Sequence, residues 1–223
     1  MKIPVTIVGI VLILLLGFHL IAPTPGPDVM QARTDLPWQI SVNADGSSRV
    51  LDMHLGSATL ADAMTKFGGV EGLAIFEKND GEMSFEAFFG TVQFGPLKAK
   101  IIVTLAATDD ELRTLISRAT GREGSPSGDW KYPLNDTPSE HRTRRVTSIS
   151  YVPGTRNLDP AFIRERFGEP AATLRENDQA VSWFYPDRGL SILIDDQARE
   201  VFEYQPPRDF VLPDQAEPGN PAN

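Results

Sequence analysis

Residues 158–170 read Leu-Asp-Pro-Ala-Phe-Ile-Arg-Glu-Arg-Phe-Gly-Glu-Pro, and after a polar turn residues 182–185 read Ser-Trp-Phe-Tyr. Asp159 is placed to cap a helix, and Pro160 stands at the first helical position, where its missing N–H costs nothing. Gly168 ends the helix, because glycine accepts the left-handed conformation that follows a helix C-terminus. This part of the chain therefore predicts a short helix followed by antiparallel strands.

A weaker copy of the same order lies earlier in the chain. Phe67-Gly68 precedes Phe167-Gly168 by 100 positions, and Ser84-Phe85 precedes Ser182-Trp183 by 98. The order of helix, Phe-Gly, turn and aromatic strand predicts a structural repeat, whereas the alternative is a chance alignment of common turn residues. The sequence thus predicts an α+β protein of two small units, each with a short helix packed on an antiparallel β-meander.

Composition sets the limits of these units. Residues 37–119 and 146–205 carry the helical and alternating apolar patterns, and they are predicted to be the first and second units. Residues 120–145 are rich in glycine, proline, serine and charge, which predicts a linker. Residues 206–223 contain five prolines and little apolar content, and they are predicted to be a disordered tail.

The N-terminal segment has no charged residue from position 3 to position 22. About 20 apolar residues span a bilayer core, so residues 1–22 are predicted to be a transmembrane signal anchor, with a cleaved signal peptide as the alternative. Residues 23–36 are predicted to be a proline-rich stalk. Lys2, the only charged side chain before the span, favours a cytoplasmic N-terminus. The pattern predicts a bacterial inner-membrane protein with a single pass, whose bulk lies in the periplasm.

The second unit resembles the small outer-membrane lipoprotein A family, also called BamE-like, over residues 150–205. The resemblance is carried by Gly154, Ile163, residues 167–170 (Phe-Gly-Glu-Pro), the strand 183–185 and the closing residues 201–204. It implies helical turns on a three-stranded antiparallel meander in a cell-envelope protein that binds other proteins. The chain has no cysteine, so the lipid-bearing residue of that family is missing. The tandem arrangement is also similar to secreted β-lactamase inhibitor proteins.

Charge and residue content narrow the chemistry. A formal net charge of -9 and a pI near 4.8 argue against a nucleic-acid partner, which needs a basic face. His19, His54 and His141 do not have metal-ligand spacing, so no metal is expected. Phosphate-binding and dinucleotide-binding loops are missing from the sequence, and no cofactor is expected. The protein is therefore predicted not to be an enzyme. The alternative is an envelope hydrolase or isomerase that uses carboxylates.

Two groups of side chains are candidates for partner binding. Strand alternation places Trp183 and Tyr185 on one face, and Phe85 is the counterpart of Trp183 in the first unit. An exposed aromatic face would suit a protein partner, whereas the alternative is that helices or the other unit cover both faces. The second group is the basic cluster Arg142, Arg144 and Arg145, which could contact an acidic partner or anionic lipid. The alternative is that these residues form a solvated loop with no binding role.

Together these features predict a membrane-anchored, non-enzymatic module that binds an envelope protein or acts as a scaffold. Envelope or outer-membrane assembly is the process that the resemblance implies. The oligomeric state does not follow from the sequence.

Overall fold

An antiparallel sheet of eleven strands runs through the computed structural model, which describes residues 35–124, 128–156 and 158–219. The order of its strands is β14-β10-β11-β12-β13-β9-β6-β5-β4-β8-β7, and β1 to β3 form a separate small sheet. In chain order the described strands are β1 (Ser41–Val42), β2 (Ser48–Val50), β3 (Met53–Leu55), β4 (Gly72–Glu77), β5 (Met83–Phe94), β6 (Leu97–Leu105), β7 (Glu123–Gly124), β8 (Trp130–Leu134), β9 (Val146–Pro153), β10 (Ala172–Arg175), β11 (Ala180–Tyr185), β12 (Leu190–Asp195), β13 (Val201–Tyr204) and β14 (Glu217–Pro218).

Side-chain caps start the three α-helices that the structure describes. In the first, the Asp62 carboxylate accepts a hydrogen bond from the Thr59 N–H at 2.8 Å, and the Asp62 N–H donates to the Thr59 hydroxyl oxygen. Thr108 and Glu111 make the same reciprocal pair at the second helix, and Asp159 caps the third. Each cap satisfies backbone N–H groups that the first helical turn leaves unpaired. These helices are α1 (Leu60–Phe67), α2 (Asp109–Ser117) and α3 (Pro160–Phe167).

All three helices contribute to a core on one face of the large sheet. Leu60 of α1, Leu112 of α2 and Ile163 of α3 belong to the same buried cluster as alternate strand residues such as Ile75 and Ile192. Because successive side chains of a strand point to opposite faces, the intervening residues lie on the other side of the sheet. We call the helix side the covered face and the opposite side the uncovered face.

Strand β9 joins the two halves of the chain into one sheet. Tyr151 of β9 is in register with Ile101 of β6 on one side and with Phe202 of β13 on the other. The meander β4-β5-β6 after α1 and the meander β10-β11-β12 after α3 therefore become parts of one hydrogen-bonded surface. The prediction of an α+β fold with an N-terminal transmembrane helix and two small units is wrong, because the protein is mainly β with one large antiparallel sheet.

The segments predicted as linker and tail contribute to the same sheet. Within residues 120–145, β8 pairs with β4, and Tyr132 lies opposite Ile75. In the tail, β14 pairs with β10, and the Phe210 ring meets the Phe184 ring edge-on at 6.5 Å. Each segment therefore completes an edge or a face of the sheet that the other strands form.

In the part of the chain that the structure describes, no helix combines the length and the apolar character needed to cross a bilayer. The predicted signal anchor and the single-pass inner-membrane location with a periplasmic domain are therefore corrected, since the structure gives them no support. Residues 1–22, on which that prediction rests, lie outside the described residues, as does most of the predicted stalk, residues 23–36.

Candidate functional site

The aromatic side chains predicted to bind a partner lie in the core. Trp183, Tyr185 and Phe85 are 6%, 5% and 1% exposed, and all three point to the covered face. The Arg164 guanidinium carbon lies 4.4 Å from the centroid of the Trp183 ring. The Tyr185 hydroxyl donates to the Gly168 carbonyl at 3.1 Å, and burial raises the pKa of Tyr185 to about 12. These side chains stabilise the packing of helices on the sheet and are not available to a partner.

The predicted arginine cluster surrounds the start of α1. The carbonyls of Arg142 and Arg144 accept hydrogen bonds from the first two N–H groups of the helix, both at 2.9 Å. The Arg144 side chain bonds Glu111 at 3.0 Å and the Ala106 carbonyl at 2.9 Å, and its hydrogen bond holds the pKa of Glu111 below the usual range. The side chains of Arg142 and Arg145 remain exposed. Hydrogen bonding of the backbone accounts for this loop without a partner.

A groove lies on the uncovered face, where strands β4, β5, β6, β9 and β13 run side by side. Two adjoining cavities of about 810 and 480 Å³ share Phe76 and Glu86 in their walls. Half-buried Phe88 and Ile102 extend the apolar floor of the first cavity, and Glu203 lines the second. We call these two cavities together the sheet-face groove.

Glu86 lies at the junction of the two cavities and is the electrostatic centre of the groove. Burial raises the pKa of its carboxyl above the ordinary value, and the carboxylates of Glu203 and Asp129 raise it further. A hydrogen bond from the Ser84 hydroxyl at 2.9 Å and the charge of Lys78 oppose that rise. No lysine or arginine among the described residues forms an ion pair with Glu86, so the groove holds a partly desolvated acid that no described cation contacts directly.

The lysines of the groove do not form an ion pair with Glu86, although the charge of Lys78 acts on it from a distance. Lys78 pairs with Glu82 at 2.6 Å, and Lys131 lies 3.5 Å from Glu123. Lys100 is exposed at the far side of the apolar floor. A cationic side chain that enters beside Glu86 therefore meets local negative charge, whereas an anionic one is repelled.

The prediction that Phe85 faces a partner selects one side of strand β5, and the groove lies on the other side. Phe85 and Ala87 point to the covered face, so Glu86 and Phe88 point to the groove. A charged residue between apolar neighbours in a strand was the available signal, because the face that carries it is the one that keeps water contact. Within the described residues no group of three or more histidine, aspartate or glutamate side chains is arranged to hold a metal.

Comparison with models of protein families, with curated proteins and with solved structures found no match. The resemblance to the small outer-membrane lipoprotein A family therefore stays a prediction drawn from the short motifs of the second unit.

Proposed function

We propose that the protein is a non-enzymatic binding module, and that its sheet-face groove binds a protein segment in which a lysine or arginine is flanked by apolar side chains. The observation that carries the proposal is the position of Glu86, which is half-buried in a groove and forms no ion pair with any described lysine or arginine. A partly buried carboxylate costs free energy unless it is paired, so a cationic partner has a specific source of affinity here.

Shape supports a peptide segment as the occupant. The apolar floor formed by Phe76, Phe88 and Ile102 lies on one side of Glu86, and the polar cavity with Ser150 and Glu203 lies on the other. An extended or turn segment crossing several strands can place an apolar side chain on the floor and a cation at the acid. Apolar contact then supplies affinity, and charge supplies selectivity.

One observation favours a second function, acid catalysis by a carboxyl group. Glu86 is a carboxyl with a raised pKa in a cleft, and carboxyls that act as general acids in enzymes have the same properties. The groove walls contain serine, threonine, glutamate and lysine side chains but no histidine among the described residues. This composition supports binding more directly than it supports hydrolysis.

Panning of a random peptide library displayed on phage tests the binding proposal. We expect the wild-type protein to enrich peptides that carry lysine or arginine next to apolar residues. The variant Glu86→Lys should lose that preference, because it replaces the acid with a positive charge that repels the lysine or arginine of the peptide. Glu165→Lys is the matched control, since Glu165 is exposed on α3 and its substitution should leave the selection unchanged.

Two results contradict the proposal. The first is that the wild-type protein enriches no cation-containing peptides, and the second is that Glu86→Lys enriches the same peptides as the wild type. Chemical shifts of the Ser84 and Phe88 backbone amides, followed during titration with a selected peptide, locate the contact directly.

A further inference from the structure

A third cavity lies on the covered face, away from the two cavities of the sheet-face groove. Its volume is about 360 Å³, which is within the range of small-molecule sites. It opens between α3, strands β9 and β13, and the turn that joins β5 to β6. Its walls are mostly apolar and aromatic, and they include Trp38, Leu97, Leu158, Phe162, Phe167 and Phe202.

Tyr151 contributes an unpartnered hydroxyl to this cavity. Its side chain lines the cavity and is only 3% exposed, with the ring held at 5.8 Å from Phe94 and 5.9 Å from Phe202. The hydroxyl makes no hydrogen bond to a described residue. Among the described residues, Glu200 Oε2 is the one fully enclosed side-chain atom that lacks a hydrogen-bond partner. The Tyr151 oxygen does not belong to that class. The Tyr151 oxygen therefore keeps accessible surface, and because Tyr151 lines the cavity we take the cavity as the space that the hydroxyl faces.

The other tyrosines in the covered core differ in this respect. Tyr204 donates to the Pro37 carbonyl at 2.9 Å, and Tyr185 donates to the Gly168 carbonyl at 3.1 Å. The Tyr151 hydroxyl has no such partner among the described residues and keeps accessible surface, so its hydrogen bond is left to a molecule in the cavity. Burial also raises the pKa of Tyr151 to about 12, so the phenol stays protonated and able to donate.

The walls select against a charged ligand. Lys98 is the one ionisable side chain besides Tyr151 among the described lining residues, and its place in β6 puts it in register with residues of the uncovered face. An ion would lose its hydration against aromatic walls without gaining a counter-ion inside the cavity. A neutral molecule with a largely hydrocarbon body loses little on entry and gains apolar contact.

We infer that this cavity binds a neutral, mainly apolar small molecule that carries one hydrogen-bond acceptor, and that the Tyr151 hydroxyl donates to that acceptor. The site is separate from the sheet-face groove and does not depend on the peptide partner proposed above. Trp38 and Phe162, whose rings meet edge-on at 6.0 Å, form the outer wall.

A fluorescent ketone tests this inference with the full chain. Prodan has a naphthalene body and a carbonyl acceptor, and its emission shifts to the blue in apolar surroundings and to the red when its carbonyl accepts a hydrogen bond. We expect wild-type protein to bind prodan with a blue shift relative to water. Tyr151→Phe keeps the ring but removes the donor. It should weaken binding about two- to tenfold, the range for one neutral hydrogen bond, and shift the bound emission further to the blue.

Two further variants locate the site. Leu97→Trp, at the half-buried edge of the cavity, should abolish binding at concentrations that saturate the wild type, because the larger ring occupies the space. Tyr132→Phe removes a hydroxyl that donates to Glu77 at 2.6 Å, outside the cavity, and should bind prodan like the wild type.

The inference is overturned if the wild type binds no prodan, or if Tyr151→Phe binds with unchanged affinity and emission. It is also overturned if Leu97→Trp, with native circular dichroism, binds as well as the wild type. The emission of the Tyr151→Phe complex separates a lost hydrogen bond from a general loosening of the core, since loosening would admit water and shift emission to the red.

Discussion

Replacement of Trp183 by alanine should destabilise the protein strongly, because the indole ring is part of the covered core. The side chain is 6% exposed and lies beneath the Arg164 guanidinium at 4.4 Å. Truncation of a buried tryptophan to alanine costs about 3–5 kcal/mol in the free energy of unfolding. For a chain of this size about 2–4 °C of melting temperature is lost per kcal/mol, so the melting temperature should fall by roughly 6–20 °C. Urea unfolding followed by far-UV circular dichroism measures the free energy, and a thermal scan measures the shift.

Phe88→Ala is the matched control on the other face of the same sheet. Phe88 is half-buried in the sheet-face groove, so its truncation should cost about 0.8–1.5 kcal/mol, half of the roughly 1.5–3 kcal/mol that full burial of a phenylalanine side chain contributes. Equal losses for Phe88→Ala and Trp183→Ala would refute the assignment of covered and uncovered faces. So would a loss below about 1 kcal/mol for Trp183→Ala, because that value fits an exposed ring and not a buried one.

Two further predictions concern the groove and the tail. Since the pKa of Glu86 is raised above its ordinary 4.5, the folded protein holds this proton more tightly than the unfolded chain does, so the contribution of Glu86 to stability declines as the pH rises above 4.5. Glu86→Gln removes that decline, and thermal scans should show a gain in melting temperature at pH 8 that disappears at pH 4. Gly189→Ala should destabilise by more than about 1 kcal/mol in urea, because Gly189 has φ +62° and an added Cβ would lie 1.9 Å from the Gln205 carbonyl oxygen. Gly69→Ala, where a Cβ meets nothing within 4 Å, is its control, and equal effects of the two substitutions would contradict the turn geometry.

The limits of the helices could be predicted because their signals are local. The Asp159 carboxylate accepts the Ala161 N–H at 2.8 Å, Pro160 begins α3, and Gly168 follows its end with φ 81°. Likewise Thr108 and Glu111 form the expected capping box at α2. A cap and its helix lie within a few residues of each other, so the residues that determine them are visible together in the sequence.

The joining of the two halves could not be predicted in the same way. Tyr151 pairs with Ile101, fifty positions earlier, and with Phe202, about fifty positions later. Backbone hydrogen bonds between strands do not depend on which side chains the strands carry. A strand such as β9, with apolar residues at alternate positions, could therefore pair with many other strands. The strand in the proline-rich tail does not follow from the sequence for a related reason, since β14 forms by pairing with the edge of β10, which lies far from it in the chain.

Polar residues in the strands indicate which face of the sheet is exposed to water, whereas the aromatic residues do not. The alternation of β11 placed Trp183 and Phe184 on opposite faces, but both are large and apolar and do not show which face the helices cover. Ser84 and Glu86 in β5, with Ser150 in β9, all fall on the uncovered face. Hydroxyl and carboxyl groups are costly to bury without partners, so their register indicates the wet face even where aromatic residues occur on both.

Strands β9 and β13 contribute to both proposed sites through this same alternation. Tyr151 and Phe202 line the cavity on the covered face, whereas Ser150 and Glu203 line the sheet-face groove. Because neighbouring residues of a strand point in opposite directions, a conservative change at Tyr151 leaves the groove surface intact, and a change at Glu86 leaves the cavity walls intact. Prodan binding should therefore be unaffected by Glu86→Lys, and peptide selection should be unaffected by Tyr151→Phe. If either variant alters both prodan binding and peptide selection, the substitution has disrupted the structure of the sheet and not one site alone.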